Sequence, residues 1–118
     1  QSDIACRIGG EEFVLLLPET ELSDALATAE KLRVRVEALT VTYRDQPLGP
    51  ITVSIGVSES PRHGRSASRL LRAADAALYV AKTAGRNRVV AGVDGECGAL
   101  ARPVKSKDAG VFGRGARS

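Results

Sequence analysis

The sequence has no methionine and no tryptophan, and its four aromatic residues, Phe13, Tyr43, Tyr79 and Phe112, make up only 3% of it. Any core this chain builds must therefore be aliphatic. No two of those aromatics pair on one strand, which argues against a sheet that binds single-stranded RNA by base stacking. A phosphate loop of the Gly-x-x-x-x-Gly-Lys type is also missing. Cys6 and Cys97 are too few and too far apart to form a disulfide framework or a metal knuckle. A reducing cytoplasm is the simplest setting. No stretch approaches the roughly 20 apolar residues of a membrane helix, so no membrane contact is expected within this segment, and no signal-peptide pattern is visible. A net charge of +3 gives no support for nucleic-acid binding.

What is present fits one small domain of 118 residues. The chain opens at Gln1 inside what reads as a strand, so a fragment of a longer protein is expected. Ile4, Cys6 and Ile8 alternate with Asp3, Ala5 and Arg7, the pattern of a half-buried strand. Residues 12–17 read as the return strand, whose unbroken apolar run is expected to be buried on both faces and is ended by Pro18. Thr20 or Ser23 is the candidate cap of a helix whose stripe is Leu22, Leu26, Ala29, Leu32, Val36 and Leu39. A short strand over 41–44 and a turn over 45–50 precede a half-buried strand over 51–57. Ser66 or Ser68 caps a second helix with the stripe Leu70, Leu71, Ala74, Ala77, Leu78 and Ala81, and Gly85 stops it. Residues 88–91 form a last strand. Cys6 reads as a small core residue, Cys97 as a free thiol, and His63, between Arg62 and Arg65, as a solvated histidine. From Gly92 onward, half of the twelve glycines occur without period. Residues 92–118 are therefore expected to be a disordered Gly/Arg-rich tail.

Between the first two strands lies Arg7-Ile8-Gly9-Gly10-Glu11-Glu12-Phe13. Paired glycines flanked by strand residues signal a tight hairpin, since glycine takes positive φ freely. They also let a ligand approach the backbone. Two acids at such a turn suit magnesium, a hard cation that takes oxygen ligands. Taken alone, an acidic pair at a hairpin tip is as readily a solvated turn.

Three motifs in order turn that signal into a specific one. Residues 5–13, Ala-Cys-Arg-Ile-Gly-Gly-Glu-Glu-Phe, resemble the signature of GGDEF-domain diguanylate cyclases, in the variant with Glu at the third position. Residues 52–57 resemble the family's central strand, and residues 74–82 with 85–89 its last helix and closing strand. The likeness runs from about Asp3 to Val90. It implies an α/β (α+β) mixed sheet with flanking helices, related to the palm of nucleotidyl cyclases and polymerases. Here that domain would be incomplete, with residues 1–91 as its C-terminal portion.

The resemblance further implies condensation of two GTP molecules into cyclic di-GMP and pyrophosphate across a homodimer of GGDEF domains. Each 3′-hydroxyl attacks the α-phosphorus of the other nucleotide, with Mg2+ (or Mn2+) lowering the hydroxyl's pKa. By the same resemblance Glu11 is the metal ligand and helps to deprotonate the hydroxyl, and Glu12 assists at the metal. Adjacent residues of an extended strand point to opposite faces, which favours Glu11 of the two. Gly9 and Gly10 would let the nucleotide lie against the turn. Lys82 and Arg86 match the contacts to the GTP phosphates, although two cations at a helix end would also offset its dipole. The match at Asp75 looks structural.

The family's metal-binding aspartate strand and guanine-binding helices are absent from this sequence. Asp3 fits the acid of the family's inhibitory Arg-x-x-Asp product site, whose arginine would fall one position before Gln1. Any membrane anchor of the parent would lie in missing N-terminal regions. The isolated chain is expected to be inactive and, through an open sheet edge, prone to aggregate. The alternative is a non-catalytic GTP- or cyclic di-GMP-binding regulatory module. Members of that kind usually lose a signature acid, and here both are kept.

Overall fold

Alternating apolar residues at Ile4, Cys6 and Ile8 form the inner face of β1 (Ile4–Ile8), which turns at Gly9–Gly10 into the antiparallel β2 (Phe13–Leu16). The computed structural model describes residues 3–10, 12–49, 51–93 and the backbone of 102–103. After β2 come α1 (Leu22–Glu37), β3 (Thr42–Tyr43), β4 (Gln46–Pro47), β5 (Ile55–Glu59), α2 (Ala67–Thr83), β6 (Val89–Ala91) and β7 (Arg102–Pro103). The main sheet has the order β2-β1-β5-β6-β7; β3 and β4 form a separate hairpin. β5 is antiparallel to β1 and parallel to β6, so the sheet is mixed as expected.

The two helices cover opposite faces. Cys6 and Ile55 share a small cavity of about 20 Å³ with Ala25, Ala29 and Leu32 of α1. On the other face α2 lies so close to β5 that a Cβ on Gly56 would stand 2.1 Å from the Ala74 carbonyl oxygen. Ser58 Oγ donates to the Leu70 carbonyl at 2.7 Å on that same face. The core is aliphatic: Ile4, Ile8, Leu26, Val57, Val89 and Val90 are buried together with alanines of both helices.

Several expectations need correction. β2 is not buried on both faces; all four of its residues are exposed, Leu16 by 66%. The strand lies at the sheet edge, and Val14 and Leu16 line an open apolar groove of about 360 Å³ between it and the start of α2. The strand expected over 51–57 instead spans Ile55–Glu59 and is wholly buried. Its flanks are β1 and β6 and its faces carry one helix each, so alternation no longer reports exposure. β1 is likewise more than half buried, because Ala5 packs inward too. Neither Thr20 nor Ser23 caps α1; the N-cap is Glu21, without a side-chain bond. In place of the turn expected over 45–50, Arg44 and Asp45 take positive φ and make a two-residue hairpin loop joining β3 to β4.

Ser66 does cap α2, accepting from the Arg69 N–H at 3.2 Å. Gly85 closes the helix as expected: its φ is 124°, Arg86 N–H donates to the Ala81 carbonyl at 2.8 Å, and Gly85 N–H donates to that of Lys82 at 3.5 Å. Within the stretch expected to be a disordered tail, the backbone of Arg102–Pro103 pairs with Val90–Ala91. Cys97 and Phe112 lie outside the described residues. Among those described, no helix is long and apolar enough to cross a membrane.

Candidate active site

The Gly9–Gly10 turn and the link between α2 and β6 meet at one end of the sheet. Register dictates this. Ile8 is paired with Ile55 at the start of β5, and β6 runs parallel to β5 with its own start beside it. Gly9 is buried and its N–H donates to the Ser54 carbonyl at 3.4 Å. The Ser54 hydroxyl accepts from the Asn87 N–H at 3.0 Å, and Ile55 N–H donates to the Arg88 carbonyl at 3.0 Å. A chain of bonds thus joins the glycine turn to the segment that holds Arg86. Gly10 is exposed with φ 99°, and a Cβ built on it would meet nothing within 4 Å. Glycine is required there by conformation, and the space beside it is open.

Lys82 occupies the last turn of α2 and Arg86 follows its Gly85 stop, with φ 63°. Among the described residues neither side chain has an ion-pair partner, which leaves both cations available to an anionic ligand. The link is held from α1: Arg33 Nη1 donates to Asn87 Oδ1 at 2.8 Å, and Asn87 Nδ2 donates to Glu37 Oε2 at 2.7 Å. The hydrogen bonds that it donates to the Glu30 carboxylate hold the Arg33 guanidinium above its ordinary pKa. No signal in the sequence marked this network, because its members are scattered over 58 positions, Glu30, Arg33 and Glu37 read as helix surface, and the motif over 85–89 gives Asn87 no partner.

Glu11 lies outside the described residues. Glu12 is exposed, and its Oε2 accepts from Arg7 Nη2 at 3.0 Å. The other guanidinium nitrogen, Nη1, bonds both carboxylate oxygens of Asp75 on α2. Arg7 therefore bridges the signature turn to the helix that carries Lys82. An oxygen donor such as the Glu12 carboxylate fits a hard divalent cation. The described residues contain no cluster of three or more metal-ligating side chains. Asp3 stands at the other end of β1, exposed, where its carbonyl accepts from Ser60 N–H at 2.9 Å. His63 is buried rather than solvated: its Nδ1 accepts from the Glu59 N–H at 2.7 Å, which folds the loop after β5 back onto the sheet.

The sequence profile described as "Diguanylate cyclase, GGDEF domain" matches residues 1–88. The chain belongs to the GGDEF-domain family. It is 46% identical over 90 residues to the response regulator PleD of Caulobacter vibrioides, covering 75% of this chain and 20% of that protein. Diguanylate cyclase A of Treponema denticola is 43% identical over 88 residues, covering 75% of this chain and 24% of that protein. Diguanylate cyclase DgcM of Escherichia coli is 46% identical over 91 residues, covering 77% and 21%. The chain thus spans about a fifth to a quarter of the length of these relatives. Among solved structures, the GGDEF domain of DgcB from Caulobacter crescentus in complex with c-di-GMP superposes with a TM-score of 0.65 at 42% identity, covering 70% of this chain and 49% of that one. The mixed sheet with flanking helices is accordingly a partial GGDEF domain.

Proposed function

We propose that the protein containing this chain is a cytoplasmic diguanylate cyclase that condenses two GTP into cyclic di-GMP and pyrophosphate. The observation that carries this reading is the meeting, at one sheet end, of the glycine turn and an α2 terminus with two available cations, in a chain of the GGDEF family. Gly9 and Gly10 present a side-chain-free surface for the nucleotide. Lys82 and Arg86 neutralise the triphosphate and hold the α-phosphorus open to attack by the 3′-hydroxyl of a second GTP. Glu11 and Glu12 would hold Mg2+ or Mn2+, and Glu11 takes up the proton of the attacking hydroxyl. When bound, the metal supplies charge stabilisation for the phosphates and a lower pKa for that hydroxyl.

One GTP per domain requires two GGDEF domains face to face, hence a homodimer. The DgcB neighbour, whose GGDEF domain is in complex with c-di-GMP, supports the product as a ligand of the fold. Asp3, at the far end of β1, is the candidate remnant of an inhibitory product site. Incubating the full-length protein with GTP and magnesium, beside a Glu11→Ala version, tests the proposal. Product from the first and none from the second is expected. No product from a folded, dimeric protein would overturn cyclase activity in favour of a regulatory module that binds GTP or cyclic di-GMP.

A further inference from the structure

Arg7 is placed to do more than stabilise a strand. It stands on β1 directly across from Gly56, on the face that α2 covers, and its side chain is 25% exposed against 45% for Asp75 and 52% for Glu12. One guanidinium nitrogen serves Asp75, and the other serves Glu12 through Oε2. The planar fork of arginine can bind two carboxylates at once in fixed directions; the ammonium of lysine acts as a point charge on a flexible stem. An isolated surface ion pair would carry little meaning. This one joins a turn residue to a helix residue 63 positions away.

We propose that Arg7 and Asp75 are positioning residues that orient the Glu12 carboxylate for a divalent cation and lock the signature turn to α2. The inference rests on Glu12 serving the metal, as in the function proposed above. Two features support it. Arg7 engages Oε2 of Glu12 at 3.0 Å, and a carboxylate ligand held by an outer partner is the usual arrangement at metal sites. The charge count also matters. Asp75 offsets the positive charge of Arg7, which would otherwise oppose a cation held at Glu12. Asp75 also lies seven residues, about two helical turns, before Lys82 on the same face of α2, so the clamp ties the turn to the helix that carries that cation.

A double-mutant cycle on the full-length protein tests this, reading Mn2+ affinity from its electron paramagnetic resonance titration. Asp75→Asn is expected to weaken Mn2+ binding about tenfold, and to have no further effect in a Glu12→Gln background. In the cyclase assay, Arg7→Lys is expected to lower kcat about tenfold with a smaller change in KM. Equal weakening by Asp75→Asn in both backgrounds would overturn the proposal, as would a lowered melting temperature with unchanged Mn2+ affinity. Should Asp75→Asn fail to fold, the same cycle with Arg7→Lys decides. Coupled Mn2+ affinities in a protein that makes no cyclic di-GMP would sink the cyclase reading and leave the clamp standing.

Discussion

Burial on the inner face of β1 pushes the Cys6 thiol up from its ordinary 9.0 to about 12. The cause is desolvation, which penalises the thiolate. Because the folded value is the raised one, the stability this contributes is complete below pH 9 and is lost as pH climbs from 9 towards 12. Denaturant midpoints should therefore fall between pH 8.5 and about 10.5, and Cys6→Val should flatten that part of the decline; equal slopes in both proteins would contradict the buried thiol. At this scale the sequence read unevenly. Alternation with Ile4 and Ile8 marked Cys6 as core. His63 could not be read, since a lone histidine between arginines has no period, and what buries it is an Nδ1 bond to the Glu59 N–H formed only once the loop folds back. Gly92 packs over the same ring, where a Cβ would come within 3.3 Å of His63 Cγ.

Between elements, the contact that decides the fold is α2 on β5. Gly56 admits the helix backbone, with Ala74, Ala77 and Ala81 forming the small-residue face that meets the sheet. Gly56→Ala would drive a methyl group to 2.1 Å from the Ala74 carbonyl oxygen and 2.8 Å from the Leu78 nitrogen. A loss of about 3 kcal/mol or more in chemical denaturation is expected; a loss below about 0.5 kcal/mol, the scale of a neutral surface change, would show that the helix stands off the strand. Both helices, most of their stripes and the Gly85 stop were legible because a 3.6-residue period and a glycine stop are local signals; Leu39, expected to end the first stripe, lies beyond α1 and is exposed. Strand burial was not legible. The apolar run Val14-Leu15-Leu16 looks like a central strand, but position in a sheet is set by distant pairings, and this run fell at the edge. β5 shows the reverse case, with Ser58 and Glu59 buried despite their polarity because strands and helices enclose them.

Across the whole molecule, the mixed sheet with a helix on each face gathers the candidate chemistry at the end where β1 finishes and β5 and β6 begin. The three family motifs were visible in sequence because each is contiguous. Their convergence, and the Arg33–Asn87–Glu37 network that steadies the loop beside Arg86, required the fold. The central claim is that the glycine turn and the α2 terminus make one GTP site, with Lys82 and Arg86 on the phosphates. The most direct test is the dependence of cyclic di-GMP formation on GTP concentration in the full-length protein with Lys82→Ala or Arg86→Ala. Hydrogen bonds to charged groups contribute about 1.5–3 kcal/mol, so KM for GTP should rise about tenfold or more in each, with the melting temperature unchanged. A KM equal to that of the unmodified protein in both variants would contradict the claim.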